Sequence, residues 1–395
     1  MPSSGEEEQR ERVERPPFPK KKVAILLGYS GIGFHGMQVN PGRRTIESEL
    51  FQALVTCGLI LPTNASTPQK VDWMRACRTD KGVHAAGQVV SLKMILKGLL
   101  KSTAADEKEK EEELWDSEKV VTELNNILPR EIRAYGIKRM MAGFDSWQCC
   151  DSRFYEYLLP SYMLEPFTDM DEFIQAIQSE RQPEKESSAS AEEEERQEIF
   201  VNRDFRATQQ QVESLKSCLE LFNGTHLFHN FTIGKPATDK SVQRFIRSFD
   251  ISRRFEQDGT EWLALRVHGQ SFMLHQIRKM VGLAVLATKM QLAKDQMKEL
   301  FRECFCKTQK MNIPKVPGEG LFLERAVFTG YNKKAGEQKS ELVVFEDEKL
   351  EGTKVELIYP AIYAAEKTGV FGRWLTGIRV HAYELKFLLP YAVRV

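Results

Sequence analysis

The chain of 395 residues lacks any apolar run long enough to cross a membrane, for which about 20 residues are needed. Its first residues are rich in Glu, Arg and Pro and include no hydrophobic signal-peptide core. Cysteine is scarce as well, since the seven residues, an odd number without regular spacing, fit a reducing compartment better than a disulfide framework. These absences argue against membrane proteins and disulfide-rich secreted domains, and we expect a soluble intracellular protein.

Net charge is also absent, because 56 basic residues balance 56 acidic ones. The acids are concentrated, however. Residues 106–118 hold eight acids and two bases, and residues 165–198 hold twelve acids and three bases. These two stretches carry a charge of −15, so the rest of the chain carries +15. If the acidic stretches are surface insertions, the folded body is basic and able to bind phosphate groups.

A complete dinucleotide-binding fingerprint is missing too. Residues 31–36 spell GIGFHG after an apolar strand at Val23–Leu27, but no helix opens at these glycines. The next helix is predicted to begin near Thr45, after Pro41 and Gly42. No second strand delivers an acid about 20 residues further on, where a ribose contact would be needed. We expect no nucleotide cofactor, and a nicotinamide-dependent enzyme is only a distant alternative.

The metal-ligating residues do not form a recognisable site. His226 and His229 are three residues apart, but the segment is predicted to be a loop and no third ligand is near. Cys149 and Cys150 are adjacent and lack a CxxC partner. We therefore expect no bound metal.

Strand and helix patterns divide the chain into two mixed α/β units with attached segments. The predicted helices are near Thr45–Leu54, Glu118–Leu128, Gln209–Phe222 and Ser271–Met290. The predicted segments are a disordered tail (1–19), a first half (20–162), an acidic insertion or linker (163–203), a second half (204–330) and a partly helical extension (331–395).

Three stretches contain the candidate functional residues. In the first, Asp80 lies between Arg78 and Lys81 and precedes Gly82 and an apolar strand. Cations on both sides favour an ionised carboxylate, which suits nucleophilic or base chemistry, although Asp and Gly also form ordinary turns.

The second stretch, Phe144–Tyr162, contains alternating aromatic residues. Tyr155 and Tyr157 fall on one face of a predicted strand and Phe154 on the other, a pattern that usually indicates core packing.

The third stretch, Ser271–Met290, is apolar around most of its helical circumference. His275, Arg278 and Lys279 form a narrow polar arc on it. An arginine in such surroundings needs a carboxylate or a phosphate, and a purely structural ion pair is the alternative.

The string RTDKGVH at residues 78–84, followed by GQVV at residues 87–90, resembles the signature of the TruA family of tRNA pseudouridine synthases. GYSGIGFHGMQ, SRFYEYLLPSY, GQSFMLHQIRKMV and the motif at Pro317–Leu323 are similar to that family as well, and the likeness extends from about Lys22 to Tyr331. The matches are closest to the eukaryotic, fungal-like nuclear branch.

This resemblance implies an α+β fold, in which two ferredoxin-like (RRM-like) halves with mixed or antiparallel sheets join across a central catalytic cleft. It implies isomerisation of uridine to pseudouridine in tRNA, without a cofactor, by flipping the base out of folded RNA. Messenger RNA and small nuclear RNA are further candidate substrates, and a nuclear monomer is expected. A non-catalytic RNA-binding protein or RNA chaperone on the same fold is the alternative.

The resemblance also implies roles for single residues. Asp80 would be the catalytic residue, acting as nucleophile or base, Arg278 would pair with it, and Tyr155 would stack on the target base. Substrate contacts are implied for Arg78, Lys81, His84, Gln88 and His275.

Overall fold

The computed structural model describes residues 20–96, 116–179, 201–338 and 340–392, which are organised around one mixed sheet of nine strands. In chain order the strands are β1 (Lys20–Tyr29), β2 (Met74–Arg75), β3 (His84–Ile95), β4 (Ile132–Arg139), β5 (Ser152–Pro160), β6 (Gly224–Leu227), β7 (Gln243–Gln257), β8 (Thr260–Gly269) and β9 (Leu321–Val327). Across the sheet the order is β4-β1-β3-β9-β5-β8-β7-β6, and β2 pairs with β3. The predicted α+β class is confirmed.

A parallel pair, β3 with β9, joins the two halves, whereas the other strand pairs are antiparallel. In this seam His84 pairs with Phe322 and Ala85 pairs with Leu323. Leu323 pairs with Tyr155 of β5 on its other side. The strand carrying Tyr155, which the sequence placed in the first half, therefore lies among the strands of the second half.

The first four helices begin after a residue with a capping side chain, and the eleven helices of the described residues together cover the sheet. They are α1 (Ile46–Thr56), α2 (Ser117–Ile127), α3 (Met170–Gln178), α4 (Gln209–Glu220), α5 (Gln276–Lys289), α6 (Lys294–Cys304), α7 (Thr329–Glu337), α8 (Asp347–Thr353), α9 (Tyr359–Lys367), α10 (Val370–Val380) and α11 (Leu389–Ala392). Thr45 caps α1 as predicted, since its hydroxyl accepts from Ser48 N at 3.2 Å and its own N–H donates to Ser48 Oγ at 3.0 Å. Among the described residues, no helix has the length and apolarity that a bilayer span requires.

The acidic insertion predicted at residues 163–203 is partly folded, so that prediction was wrong for its first part. Helix α3 is capped by Asp169 and buries Phe173 and Ile177, which lie four residues apart on one face. Acids in the first turn suit the positive end of a helix, so the acidic composition does not oppose this helix. The remainder of the insertion, residues 180–200, lies outside the described residues, as do the tail at 1–19 and most of the first acidic stretch.

Two other predicted boundaries were wrong. Helix α5 begins at Gln276 and not at Ser271, because His275 adopts a left-handed backbone conformation with φ of 64° that a helix cannot continue through. The segment Gly224–Leu227 forms strand β6 against β7 rather than a loop.

The extension after residue 331 is helical, as predicted, and is an integral part of the fold. A π-helical segment, Lys354–Ile358, connects α8 with α9, and a 3₁₀ segment, Ala382–Leu388, follows α10. The ring of Tyr359 in α9 lies 6.0 Å from that of Phe322 in β9, and Tyr363 lies 5.2 Å from Trp262 in β8. The extension therefore covers strands from the centre of the sheet.

Candidate active site

The loop that carries Asp80 connects β2 to β3 and is held from two sides. The hydroxyl of Tyr29 on β1 lies 2.8 Å from Thr79 Oγ1, so the residue before Asp80 is fixed to the sheet. Gly82 has a φ of 80°, and a Cβ atom there would lie 3.2 Å from Glu319 Oε1. Glycine is therefore required at the turn that points Asp80 away from the strand.

His84 and Gln88 anchor this loop from beneath, which corrects their predicted role in direct substrate contact. Gln88 accepts from Cys77 N at 3.1 Å and donates to Cys77 O at 2.9 Å. His84 accepts from Gly31 N at 3.2 Å through Nδ1 and lies 2.9 Å from Glu319 O through Nε2. Burial lowers the pKa of His84 to about 4, although the bond to Glu319 opposes this shift. Both side chains are fully buried and neither lines the cavity described below.

The structure brings Asp80, His275 and Arg278 together, although they are almost 200 residues apart in sequence. Asp80 Oδ2 lies 2.7 Å from His275 Nδ1 and 3.6 Å from Arg278 Nη1. Arg278 Nε donates to Val316 O at 2.7 Å, which fixes the plane of the guanidinium. The side chains of Asp80, His275 and Arg278 are 21%, 15% and 12% exposed, so all three are mostly shielded and Asp80 is the most accessible of them.

His275 acts on Asp80 as a neutral donor. Because a carboxylate oxygen can only accept, the proton lies on Nδ1, and Nε2 is left to accept from Lys315 Nζ at 3.5 Å. Burial lowers the pKa of His275; Asp80 opposes this shift, whereas Lys315 and Arg278 support it. The pattern of the sequence placed His275 inside a helix and gave no sign of the left-handed residue that aims its ring at Asp80.

Tyr155 presents its ring to the same space from β5. It is buried, and its ring packs edge-on against Phe272 at a centroid distance of 5.3 Å. Burial raises the pKa of Tyr155 far above its ordinary value, with a further contribution from Cys77 and an opposing one from Arg153. The phenol is therefore protonated at neutral pH and offers an apolar face and a hydrogen-bond donor.

A cavity of about 670 Å³ contains these groups, within the range of roughly 300–1,000 Å³ typical of ligand sites. Arg78 lines it, whereas Lys81 is exposed and lies outside its wall. Trp147, which is 59% exposed, also borders it. Sequence reasoning missed four basic residues of the wall: Arg75, Arg153, Lys235 and Arg244. In the part of the chain that the structure describes, no three His, Cys, Asp or Glu side chains lie together as a metal site would need.

The C-terminal extension supports the site from behind. Its residues Trp374, Ile378 and Leu385 border a second cavity of about 410 Å³, which shares His275 with the first. Trp374 Nε1 donates to Lys315 O at 2.9 Å and so holds the segment whose lysine contacts His275. The sequence alone gave no indication of this link.

Comparison with known proteins agrees with the geometry. A family model described as tRNA pseudouridine synthase matches residues 219–329. The chain is 36% identical over 403 aligned positions to tRNA pseudouridine synthase 1 of Yarrowia lipolytica, covering 88% of this chain and 72% of that protein. It is 35% identical to tRNA pseudouridine synthase 1 of Kluyveromyces lactis, with 88% and 68% covered. It is also 35% identical to Pseudouridylate synthase 1 homolog of Mus musculus, with 94% and 77% covered.

Proposed function

Because this chain belongs to the tRNA pseudouridine synthase family and is therefore an isomerase, we propose that it converts uridine to pseudouridine in tRNA with Asp80 as the reactive carboxylate. The observation that carries the proposal is the contact of Asp80 Oδ2 with His275 and Arg278 inside a cavity large enough for a nucleotide. A carboxylate oriented in this way can act as nucleophile or base.

The reaction rearranges atoms within one nucleotide. The bond from N1 to C1′ breaks, the freed uracil turns, and a bond from C5 to C1′ forms. The hydrogen on C5 leaves as a proton and N1 takes up a proton, so no electrons are gained or lost. Asp80 supplies the reacting oxygen, while His275 and Arg278 are positioning residues that hold Oδ2 and direct the other oxygen toward the cavity.

Entry of the base into the cavity requires that it leave its stack in folded RNA, which costs about a few kcal/mol. The ring of Tyr155 offers a surface on which a flipped uracil can stack, and such stacking offsets about 1–3 kcal/mol per base. The exposed Arg78 and Lys81 flank Asp80 and are suited to holding phosphates near it. RNA affinity should therefore fall as salt concentration rises.

We extend the proposal to messenger RNA and small nuclear RNA as substrates and to a nuclear location, on the resemblance of the motifs to the nuclear branch of the family. Mapping pseudouridine in total RNA of cells with and without the protein tests the substrate range.

Replacement of Asp80 tests the proposal directly. We expect Asp80→Asn to lower tritium release from tRNA labelled at C5 of uridine by about a thousandfold or more, because the reacting oxygen is lost. RNA binding should change by no more than about twofold, because phosphate contacts dominate affinity. Asp258→Asn, at the exposed turn between β7 and β8, is the matched control.

Turnover by Asp80→Asn at the wild-type rate would refute the role of Asp80. A wild-type protein that binds tRNA but releases no tritium would support the alternative of a non-catalytic RNA-binding protein.

A further inference from the structure

One wall of the cavity carries two arginines, Arg153 and Arg244, that form no ion pair with a carboxylate in the described ranges. Arg78, which also lines the cavity, has no ion pair in the described ranges either, whereas the other cations of the lining do. Arg75 is paired with Glu47, and Lys235 lies 3.0 Å from an oxygen of Asp239. Arg153 and Arg244 therefore add positive charge to the cavity that no ion-paired carboxylate in the described ranges offsets.

Arg153 is a nearly buried cation, 8% exposed, and its hydrogen-bond partners are neutral. Its Nη1 donates to Gln270 O at 2.7 Å and to Cys150 O at 3.3 Å, and its Nη2 donates to Ala76 O at 2.9 Å. These carbonyls fix the direction of the guanidinium without neutralising it. A buried charge without an opposite charge is costly, so an anion at this position would stabilise the protein.

Arg244 on β7 is half-buried, and its Nε is shielded from solvent without a hydrogen-bond partner among the described residues. Burial lowers the pKa of Arg244, the charge of Arg153 acts in the same direction, and Asp239 opposes both. The sheet register places the two arginines near each other, because Gly269 of β8 pairs with Arg153 on one side and with Ile246, two residues after Arg244, on the other. Two guanidinium groups that line one cavity without an ion-paired carboxylate have the chemistry of an anion site.

We propose that Arg153 and Arg244 bind a phosphodiester group of the RNA strand next to the uridine that reaches Asp80. This inference rests on the proposed function and names a contact within the same site. Guanidinium groups bind phosphate oxygens through paired, charge-assisted hydrogen bonds, and RNA supplies such a group on either side of every base. Arg153 and Arg244 line the same cavity as Asp80, so the phosphate they bind belongs to the reacting nucleotide or to its neighbour.

A purely structural role is the competing explanation for Arg153, because its bonds connect Ala76 near Asp80 with Gln270 of the second half. Arg244 separates the two explanations, since its side chain makes no such bond to the described residues. Arg247 on the same strand is a matched control, because it is exposed and does not line the cavity.

The experiment pairs protein variants with RNA that carries one neutral linkage. A tRNA stem-loop containing the modified uridine is prepared with a single methylphosphonate at each linkage around it in turn. Affinity is measured for wild type, Arg244→Gln, Arg244→Lys and Arg247→Gln at several salt concentrations, with thermal melting as the check of folding.

We expect one neutral linkage to weaken wild-type binding by roughly ten- to a hundredfold. Arg244→Gln should bind unmodified RNA more weakly by a similar factor and lose its sensitivity to that linkage only. The salt slope of Arg244→Gln should fall by about 1. Arg244→Lys should keep part of the sensitivity, and Arg247→Gln should keep all of it.

The inference would be overturned if each neutral linkage weakened RNA binding equally in wild type and in Arg244→Gln. In that case, tritium release by the wild-type protein would still support the proposed function. If the wild-type protein releases no tritium, the proposed function fails instead. If Arg244→Gln does not fold, Arg244→Lys decides, because full wild-type affinity and full sensitivity to every neutral linkage in a variant without the fork of the guanidinium would also overturn the inference.

Discussion

Two carboxylates in this molecule, Asp80 and Glu324, each meet arginines from distant parts of the chain, yet their surroundings differ. Glu324 on β9 is buried under the C-terminal helices, and both of its oxygens accept from Arg266, at 2.5 and 2.8 Å. Arg325 lies 3.3 Å away and Lys354 lies 4.0 Å away. Burial alone would raise the pKa of Glu324, but these cations together lower it.

Asp80, in contrast, receives both of its partners on one oxygen. His275 and Arg278 approach Oδ2, whereas Oδ1 has no hydrogen-bond partner among the described residues, and the side chain faces a cavity. A carboxylate whose oxygens are both saturated holds the fold together. One that is fixed through a single oxygen has the other free for a substrate. The difference between stabilising and reactive acids lies in how many lone pairs the protein leaves unused.

Removal of the saturated carboxylate should give the largest effect on stability. We expect Glu324→Gln to lower the free energy of unfolding by about 3–5 kcal/mol, because the buried Lys354 and the partly exposed Arg266 and Arg325 would lose the carboxylate that they share. Glu351→Gln is the control, since Glu351 contacts the same Lys354 from an exposed position and should cost about 1 kcal/mol or less. Urea unfolding measures both. A loss of tritium release by correctly folded Glu324→Gln would contradict a purely stabilising role.

His84, which lies beneath the Asp80 loop, should make the stability of the protein depend on pH. The folded-state pKa of His84, about 4, lies below its ordinary value of 6.5. The unfolded chain therefore takes up the proton first as pH falls, and the free energy of unfolding should decline between about pH 6.5 and 4. The decline attributable to His84 is roughly 3 kcal/mol.

Urea unfolding at pH 7 and at pH 4.5 measures this effect. The variant His84→Gln should be less stable at pH 7, because contacts with Gly31 and Glu319 are weakened, but its stability should depend less on pH. An equal pH dependence in wild type and variant would show that His84 is not the group responsible.

The smallest expected effect concerns the orientation of Asp80. Arg278→Lys keeps the charge but cannot both bind Val316 O and approach Asp80, because lysine has one ammonium group. We expect kcat for tritium release to fall about tenfold with little change in KM. Arg302→Lys, on the exposed surface of α6, is the control. A raised KM with unchanged kcat would indicate that Arg278 binds substrate rather than positioning Asp80.

Much of the fold was predictable because its signals are local. The cap at Thr45, the apolar periodicity of α4 and the turn at Asp258 and Gly259 each specify structure within a few residues. Local sequence left Asp80 between an ordinary turn and a reactive carboxylate, and the family resemblance favoured the second and supplied Arg278 as its distant partner.

The features that the sequence could not provide depend on long-range geometry. The left-handed conformation of His275 arises where the loop after β8 meets Asp80, and helical periodicity carries no sign of it. Arg153 and Arg244 lie on different strands. The alternation of side chains along a strand predicts which face of the sheet each residue occupies, but it does not predict that both line one cavity. Helix α3 was not predicted because its surroundings are acidic. Its local signal is the pair Phe173 and Ile177, which lie four residues apart and are buried.

The parallel seam of β3 with β9 makes the candidate site depend on a strand that lies far behind Asp80 in the sequence. During synthesis the Asp80 loop leaves the ribosome more than 200 residues before Leu321–Val327. Until that strand inserts between β3 and β5, the half that carries Asp80 is not joined through the sheet to the half that carries Arg278. A nascent chain that meets RNA before Val327 has been made therefore holds only part of the candidate site.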